Sequence, residues 1–468
     1  MEKEEFRRYG YEFIDWLADY FEQAENYPVK SKVKPDEIKA ALPGEPPLSA
    51  EPMEEIFNDF KQIIIPGITH WQHPGWFAYF PANNSPASVL AELLTAGLGA
   101  QCMIWQTSPA AAELEEVVMR WLGRMLGLPE TMSGVIQDTA STATLCALLT
   151  ARERATAFEA NRSGLKRPLR VYTSEEGHSS IDKAVKIAGY GLENLRRIPT
   201  DESYALIPEQ LEQAVNEDIN RGYEPACVVA TTGTTSSAAV DPLREIGEIC
   251  ARHKLWFHVD GAYGGTAALL PEKRWVLEGV EMADSFVVNP HKWMLTNFDC
   301  SAYFVKDEEL LTRTFEIHPE YLKTGYDAVV KNYRDWGIQL GRRFRALKLW
   351  FVIRSYGVEG LQKVLGEHMR LAELFKDWVE ADSRFELLAP VNFSLVCFRY
   401  KREGVSEEEL NRLNKLLLEK VNSSGRVFLT HTSLNSCYAI RMAIGQRTTT
   451  EKNIREAWEL ISSHASSL

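Results

Sequence analysis

The strongest constraint on the fold is an alternation of short apolar runs with amphipathic segments that begins near residue 110. Apolar residues at three- and four-residue steps predict helices, whereas short runs rich in branched and aromatic residues predict strands. Elements that alternate in this way form a mainly parallel sheet covered by helices. The sequence therefore predicts an α/β domain, with strands at SGVIQ, LRVYTS, ACVVATTG, LWFHVDGAYGG and DSFVVNPHKW and helices at Ala111–Leu126, STATLCALLTARERA, SSIDKAVKIAG and DPLREIGEICARH.

Other patterns flank this region. An aromatic stripe predicts an N-terminal helix that packs either on its own domain or across a dimer; its members are Phe6, Tyr9, Phe13, Trp16, Leu17, Tyr20 and Phe21. A long helix, LGRRFRALKLWFVIRSYG, is predicted to end at Gly357, before further helices and the strands FELLAP, FSLVCFRY and CYAIRMAIG. We predict an N-terminal helical segment at 1–85, a large domain at 86–357 and a small α+β domain at 358–468.

Charge and cysteine content restrict the partners. The formal net charge of -13 argues against a nucleic-acid partner, because an acidic surface repels phosphate backbones. The seven cysteines are widely spaced and odd in number, which favours free thiols in a reducing cytoplasm over disulfides or a zinc site. The N-terminus MEKEEFRRYG has no apolar core of a signal peptide. The most apolar stretch, Val89 to Trp105, contains Glu92 and Gln101 and predicts a buried helix rather than a membrane span. We expect a cytoplasmic protein.

Lys292 is the first candidate for chemistry. A lysine in isolation is normally a solvated surface charge. Here it follows a buried strand and lies between His291 and Trp293. Desolvation in such surroundings lowers the pKa of an amine and frees it for attack on a carbonyl carbon.

Asp260 is the second candidate, near the end of the apolar strand LWFHVDGAYGG. It caps the following turn or pairs with a cation, because an unpaired buried charge is costly. One such partner is a pyridinium nitrogen, which a carboxylate keeps protonated. His178 follows another strand, where its flat ring is either a structural hydrogen bonder or a surface that stacks on a planar cofactor.

Thr139 and Ser141 stand where a helix begins, at QDTASTATLCALL. Helix N-termini bind phosphate readily, although plain capping explains the same residues. The motifs GxGxxG, Walker A and HExxH are absent, which removes the usual dinucleotide, triphosphate and zinc-peptidase interpretations. A phosphate site, a planar stacker, a carboxylate and a lysine remain, in that chain order on successive strand ends. These are the parts that hold pyridoxal phosphate, and we predict no metal site.

Taken together, the segments resemble the group II pyridoxal-phosphate-dependent decarboxylases, and among them the aromatic-L-amino-acid decarboxylases. The resemblance spans nearly the whole chain and includes HPGWFAYFP, SPAAAELE, GVIQDTASTATL, GHSSIDKA, TTGTTSSAAVDPL, WFHVDGAYGG, NPHKWMLTNFDCSA and LGRRFRALKLWFVIRSYG. It implies the aspartate-aminotransferase-like fold (PLP fold type I), pyridoxal 5'-phosphate as cofactor, and a homodimer with active sites at the interface.

The resemblance also implies residue roles. Lys292 would bind the cofactor covalently, Asp260 would pair with its pyridine nitrogen, and His178 would stack on its ring. Tyr321, in HPEYLKTGYD, matches a tyrosine on the family's catalytic loop that helps to protonate the substrate carbon. The remaining cofactor-binding residues would be Ala140, Ser141 and Asn289 at the phosphate, His291 beside the lysine, Thr235 near the phenolic oxygen or the histidine, and Ala262 against the ring.

The substrate pocket is implied less directly. Gly341 precedes the RRF triplet, where the family has glycine or serine, and glycine leaves room for a large ring. Aromatic walls would come from Trp71, Tyr79 and Phe80. Departures from the animal enzymes are Ala82, which replaces a frequent threonine, and Gln101 and Met103, which replace apolar residues in a segment expected to reach the partner's pocket. We expect decarboxylation of tryptophan, with tyrosine, phenylalanine and DOPA open.

Four alternatives remain. A decarboxylation-dependent aldehyde synthase tends to carry phenylalanine where this chain has Tyr321, so the tyrosine favours simple decarboxylation. An aminotransferase of the same fold would need an arginine to retain the carboxylate, and Arg342 and Arg343 are candidates. A decarboxylase could also act on histidine or glutamate. A non-catalytic scaffold would be expected to lose the lysine or the aspartate, and both are present.

Overall fold

The computed structural model describes residues 1–317, 325–326 and 329–468. Its helices are α1 Lys3–Gln23, α2 Glu37–Ala41, α3 Met53–Asp59, α4 Ile65–Gly67, α5 Pro86–Leu98, α6 Pro109–Leu126, α7 Ala140–Thr156, α8 Glu159–Ser163, α9 Ser180–Ile187, α10 Pro208–Asn220, α11 Leu243–His253, α12 Pro290–Trp293, α13 Glu308–Phe315, α14 Arg345–Ala381, α15 Glu407–Ser423 and α16 Glu451–Ala465. Its strands are β1 Ser133–Gln137, β2 Leu169–Ser174, β3 Leu195–Ile198, β4 Glu224–Thr231, β5 Trp256–Asp260, β6 Ser285–Val288, β7 Ser301–Val305, β8 Phe385–Leu387, β9 Leu395–Tyr400, β10 Thr430–Leu434 and β11 Cys437–Ala443.

A seven-stranded sheet in the order β1-β7-β6-β5-β4-β2-β3 forms the centre of the fold. β7 runs antiparallel to both of its neighbours, and the other adjacent pairs are parallel. Helices cover both faces of the sheet, each over a separate apolar core. The predicted mainly parallel α/β architecture is therefore confirmed.

The second sheet is smaller and antiparallel, in the order β10-β11-β9-β8. It packs with the C-terminal half of α14 and with α15 and α16 around a third core. This arrangement confirms the predicted small α+β unit.

The long helix differs from its prediction at both ends. It begins at Arg345 rather than at Leu340, and it continues to Ala381. Gly357 interrupts it with φ 64° and ψ 174°, a conformation that glycine adopts readily because it has no Cβ atom. The glycine is therefore a kink within the helix, and the boundaries at 85 and 357 stay predictions.

The N-terminal aromatic stripe packs partly on its own chain. The ring of Phe13 lies 4.5 Å from that of Phe57 on α3, and Trp16 contacts Phe57 and Phe60 edge-on. Tyr9 is buried, whereas Phe6 remains 67% exposed. The stripe therefore covers part of its own segment and leaves its outer end open.

Helix α5 corrects one expectation. Of its residues only Ser88, Ala91 and Thr95 are buried, so the apolar stretch is not the buried helix that we predicted. Its leucines face outward instead: Leu90, Leu93, Leu94 and Leu98 are all exposed. Within the described ranges, no helix combines the length and apolar character needed to cross a membrane.

Candidate active site

The predicted residues gather at one edge of the large sheet. β2, β4, β5 and β6 are parallel, so their carboxyl ends meet at the same edge. β1 shares this direction, because it is antiparallel to β7, which is antiparallel to β6. The residues that follow these strand ends are Ala140 and Ser141 after β1, His178 after β2, Thr235 after β4, Asp260 and Ala262 at the end of β5, and Asn289, His291 and Lys292 after β6.

Lys292 lies on α12, a single helical turn that starts at Pro290. Its backbone carbonyl accepts a hydrogen bond of 3.1 Å from the side-chain amide of Asn83. Its Nζ atom lies 5.5 Å from the centre of the Phe80 ring. Burial lowers the pKa of the Lys292 amine, and the neighbouring Asp260 carboxylate partly offsets that effect. The amine is thus easier to deprotonate than a surface lysine.

Asp260 ends β5 and is buried. Its Oδ1 accepts a hydrogen bond of 3.0 Å from the backbone amide of Ala262, which fixes the carboxylate. Asp260 also acts electrostatically on His178 and Lys292, and it offsets part of the lowering that burial imposes on the pKa of each. The three side chains therefore lie close enough to influence one another's protonation.

His178 has a defined hydrogen-bonding pattern. The backbone amide of Ser180 donates to its Nδ1 at 3.1 Å, so Nδ1 is an acceptor and the neutral ring carries its proton on Nε2. Desolvation lowers the pKa of His178, an effect that Lys292 reinforces and Asp260 opposes. The imidazole is therefore neutral near pH 7 and presents a flat ring to the cleft.

The start of α7 has the properties of an anion site. Thr139 caps the helix by accepting a hydrogen bond from the Thr142 amide at 3.4 Å, and the first turn contains no acidic residue. The first backbone amides, including those of Ala140 and Ser141, have no partner within a helix. Free amides and the positive end of the helix dipole together favour phosphate.

Asn289 directly precedes α12, the helical turn that carries Lys292, and its side chain bonds to the neighbouring strand β7. Its Oδ1 accepts a hydrogen bond of 2.6 Å from Ser301, and Ser301 pairs with Gln137 across β1 and β7. His291 accepts a hydrogen bond of 2.9 Å from the Cys300 amide, and burial lowers the pKa of His291 to about 3. A neutral imidazole therefore lies next to the lysine and adds no positive charge.

These groups fit pyridoxal phosphate. The helix start offers free amides to its phosphate, Asp260 offers a carboxylate to its pyridine nitrogen, and Lys292 offers a desolvated amine to its aldehyde. His178 adds a flat neutral ring. Among the described residues, no group of histidine, cysteine, aspartate and glutamate side chains could hold a metal ion.

A stack of aromatic rings forms the floor beneath the lysine. The Phe80 ring lies 3.8 Å from the Tyr263 ring at an interplanar angle of 15°, and Tyr263 lies 4.7 Å from Trp293 at 13°. Trp293 in turn donates from Nε1 to Nδ1 of His368 at 3.0 Å. Phe80 is thus held flat by rings behind it.

The other predicted aromatic walls lie beside Phe80. Trp71 stacks on Tyr79 with centroids 5.8 Å apart at 15°, and its ring also lies 4.2 Å from Trp76. Tyr79 has a positive φ of 55°, which a bulky residue adopts only when its surroundings hold it there. The carbonyl of nearby Ala82 accepts a hydrogen bond of 2.7 Å from Gln72.

Gln101, Met103 and Gly341 form a second group around Arg342. Gln101 Oε1 accepts a hydrogen bond of 2.7 Å from the Arg342 amide. A Cβ atom at Gly341 would lie 3.3 Å from Gln101 Nε2. The carbonyl of Met103 accepts a hydrogen bond of 2.8 Å from the Arg334 amide. Tyr321 lies outside the described residues.

Arg441 is a feature that the sequence interpretation missed. It is buried on β11, yet its described hydrogen bonds go to neutral acceptors, among them the carbonyl of Thr235 at 2.7 Å and the hydroxyl of Thr430 at 3.0 Å. Its guanidinium also lies 5.4 Å from the centre of the Phe80 ring. An arginine within the apolar run CYAIRMAIG was the available signal.

Comparisons with known proteins agree with this geometry. The family model described as the pyridoxal-dependent decarboxylase conserved domain matches residues 35–401. The chain is 45% identical over 100% of its length to 97% of phenylacetaldehyde synthase from Arabidopsis thaliana, and 44% identical over 100% of its length to 94% of tyrosine decarboxylase 4 from Petroselinum crispum. The crystal structure of Oryza sativa TDC with PLP and tryptamine superposes with a TM-score of 0.96 at 37% identity, covering 100% of this chain and 99% of that one.

The fold and the site define a fold type I enzyme that uses pyridoxal phosphate and releases CO2 from its substrate. The chain belongs to the pyridoxal-dependent decarboxylase family, on the side of that family that acts on aromatic amino acids.

Proposed function

We propose that this chain decarboxylates an aromatic L-amino acid to the arylalkylamine and CO2, with tryptophan as the favoured substrate. The observation that carries the proposal is the ring of Phe80, 5.5 Å below the Lys292 amine and backed by Tyr263. A flat aromatic surface beside the reacting amine favours an aromatic side chain through stacking and burial.

The chain's own residues have distinct tasks in this proposal. When bound, pyridoxal phosphate supplies a ring that accepts the electron pair left by the departing carboxylate. Lys292, whose pKa is lowered by burial, would give up a proton and hold the cofactor through its aldehyde carbon. Asp260 would keep a proton on the ring nitrogen, and His178 would cover one face of the ring. Tyr321 returns a proton to the substrate carbon.

An aminotransferase would need an arginine for the substrate carboxylate, but the two candidates in this chain are already engaged in ion pairs. Arg342 forms a buried ion pair of 2.6 Å with Glu115, and Arg343 pairs with Glu92. The carbonyls that bind Arg441 occupy most of its donors. A substrate carboxylate therefore meets neither Arg342 nor Arg343 as an unpaired cation, which supports its loss as CO2 over its retention.

Tryptophan is proposed because Gly341 has no side chain and so leaves room for a large substrate ring. A side chain there would press on Gln101, so the glycine and the fixed amide together define one wall of the pocket. Gln101, Met103 and Gly341 would form this wall in the partner's cleft, opposite Trp71 and Tyr79. Tyrosine, phenylalanine and DOPA fit the same aromatic surroundings, whereas histidine and glutamate gain less from the Phe80 floor.

A decarboxylation-dependent aldehyde synthase is a second candidate. The observation in its favour is the 45% identity to a phenylacetaldehyde synthase, beside 44% to a tyrosine decarboxylase. The tyrosine at position 321 supports the amine product. The two reactions share CO2 release and differ in whether ammonia and an aldehyde follow.

A homodimer would cover the apolar surface that the single chain leaves open. Phe298, 61% exposed, and the outward leucines of α5 are candidates for this interface, together with Phe6 at the end of the N-terminal stripe. Large exposed apolar side chains mark protein–protein contacts where they gather in a patch. All seven cysteines are free, and we propose that the dimer works in the reducing cytoplasm.

The test is product analysis. The holoenzyme is incubated separately with tryptophan, tyrosine, phenylalanine, DOPA, histidine and glutamate, and products are identified by mass. An amine with CO2 from an aromatic substrate supports the proposal, and Tyr321→Phe should then shift the product towards aldehyde and ammonia. Aldehyde from the unaltered enzyme would favour the second candidate, and turnover of glutamate alone would contradict the aromatic pocket.

A further inference from the structure

Asn83 joins three parts of the chain, which are its own loop, the turn α12 that carries Lys292, and the loop after β11. Its side chain is buried, and its amide nitrogen donates to the carbonyl of Lys292 at 3.1 Å and to the carbonyl of Gly445 at 2.6 Å. Its Oδ1 atom accepts a hydrogen bond of 3.1 Å from the backbone amide of Arg447. Both N–H donors of the Asn83 side chain are therefore engaged.

The bond from Asn83 matters to α12 because this helix is a single turn. Carbonyls in the last turn of a helix have no partner inside the helix and need one from elsewhere. Among the described residues, the one hydrogen bond to the Lys292 carbonyl comes from Asn83. The chain then continues into Leu295, whose φ of 54° a bulky residue adopts only where its surroundings hold it. The backbone that carries the amine thus depends on a side chain from another segment.

Asn83 is itself held on both sides. The carbonyl of the preceding residue, Ala82, accepts a hydrogen bond of 2.7 Å from Gln72. Two residues further on, Ser85 caps α5 and exchanges hydrogen bonds with Ser88. A side chain on a backbone that is fixed in this way can restrain the groups to which it bonds.

The small unit lies against the same loop at close range. A Cβ atom at Gly445 would lie 2.7 Å from Pro81 Cγ, so a side chain there would collide with the proline ring. The amide of Ala443 on β11 donates to the carbonyl of Phe77 at 3.0 Å. The end of β11 therefore fixes the position of this loop, and through the loop it fixes the turn α12.

We propose that Asn83 is a positioning residue for Lys292, because it anchors the backbone of the lysine to the small unit and so holds the amine in the geometry that attachment of the cofactor requires. The attachment forms a carbon–nitrogen double bond when the unprotonated amine adds to the aldehyde carbon and one molecule of water leaves. Small displacements of a reacting group are costly in such a step. The inference rests on the proposed attachment of the cofactor to Lys292, and it assigns to Asn83 no contact with the cofactor or the substrate.

The test compares two ligands that differ at one group. Pyridoxal 5'-phosphate has an aldehyde that can link to Lys292, whereas pyridoxamine 5'-phosphate has an amine in its place and cannot form this link. Their dissociation constants are measured by equilibrium dialysis of the cofactor-free, full-length chain, unaltered and as Asn83→Ala. We expect the dissociation constant of pyridoxal phosphate to rise roughly threefold to tenfold in Asn83→Ala, the size expected for one hydrogen bond. Pyridoxamine phosphate should bind to both proteins equally.

Asn414 supplies the matched control. It is buried on α15, where its amide donates to the carbonyls of Tyr400 at 2.8 Å and Leu410 at 2.9 Å, and its Oδ1 accepts from the Tyr400 amide at 2.7 Å. Asn414→Ala therefore removes hydrogen bonds of the same kind from the interior of the small unit. We expect both ligands to bind to this variant as they bind to the unaltered protein.

A second variant keeps the test decisive if Asn83→Ala does not fold. Asn83→Ser retains a hydroxyl that can donate to one of the two carbonyls, and we expect a smaller loss of affinity, again confined to pyridoxal phosphate. Equal weakening of both ligands, or weakening of neither, would overturn the proposal. Dialysis needs no turnover, so a selective loss in a protein that decarboxylates no aromatic amino acid would still support the role of Asn83. Decarboxylation without the selective loss would remove that role and leave the proposed function intact.

Discussion

The Nζ atom of Lys292 lies 5.5 Å from the centre of the Phe80 ring, and that ring stacks on Tyr263 with ring centres 3.8 Å apart. The ring is therefore a fixed flat surface next to the amine. Its position follows from the stack behind it, since Tyr263 is itself supported by Trp293. In the proposed function, this surface would contribute to the selection of an aromatic substrate.

Replacement of Phe80 by leucine should weaken the binding of aromatic substrates. Leucine retains apolar bulk but removes the stacking surface, which contributes about 0.5–1.5 kcal/mol for an aromatic pair. We expect KM for the preferred aromatic amino acid to rise roughly threefold to tenfold, with a smaller change in kcat. Phe375→Leu, a buried ring of the small unit, is the control in steady-state kinetics. Equal effects of both substitutions would contradict a local role for Phe80.

Glu115→Gln should destabilise the protein strongly. Glu115 binds Arg342 through both oxygens, at 2.6 and 3.1 Å, and both side chains are buried. Removal of one charge leaves the other buried and unpaired, which costs about 3–5 kcal/mol. The free energy of unfolding in urea measures this. The exposed pair Arg124–Glu130 supplies the control, because Glu130→Gln should cost less than about 1 kcal/mol.

The raised pKa of Asp241 leads us to expect that the stability of the fold depends on pH. Its two oxygens accept backbone hydrogen bonds from Leu206 at 2.8 Å and Thr231 at 2.7 Å, yet burial raises the pKa of Asp241 from 3.8 to about 6. The folded state therefore binds this proton more tightly than the unfolded state does. Stability from this group is present below about pH 4 and is lost as pH rises to about 6, by about 3 kcal/mol in total.

Denaturant titrations at several pH values test whether the free energy of unfolding falls as pH rises from about 4 to about 6. Asp241→Asn should be less stable overall because it loses an acceptor, but its stability should change less between those two pH values. Asp36→Asn, at an exposed aspartate, should keep the slope of the unaltered protein. A slope unchanged in Asp241→Asn would show that another group is responsible.

Gly341→Ser should act through Gln101. The new Cβ atom would lie 3.3 Å from Gln101 Nε2, and the amide is held by its bond to the Arg342 backbone. We expect kcat/KM for tryptophan to fall more than that for phenylalanine. In the double variant with Gln101→Ala, part of the loss should be recovered, because the obstructing amide is gone. Additive effects in this double-mutant cycle would contradict the coupling.

The position of the candidate residues at one sheet edge could be predicted because strand ends follow local patterns, whereas their roles stay predictions. Lys292, Asp260 and His178 come after apolar runs, and parallel strands bring such ends together. β7, Ser301–Val305, was not among the predicted strands, and its antiparallel direction was not predictable in this way either, since an apolar run does not specify its neighbour. The same holds for α5, whose leucines looked like core residues although the single chain leaves them exposed.

Contacts between distant segments were the least predictable part of the site. Arg441 reaches the carbonyl of Thr235 from the other end of the chain, at 2.7 Å. Its position depends on side-chain burial and on the pairing of β11, which composition and spacing do not encode. The Gly357 kink likewise looked like the end of a helix because glycine commonly ends helices.

The most direct test of the central claim is to locate the cofactor on the chain. The holoenzyme is treated with borohydride, digested, and examined by mass spectrometry for a peptide that carries the reduced cofactor. We expect the added mass on Lys292, and we expect Lys292→Ala to lose both the modified peptide and the release of CO2 from aromatic amino acids. Modification of another lysine, such as the buried Lys348, or CO2 release that survives Lys292→Ala, would contradict it.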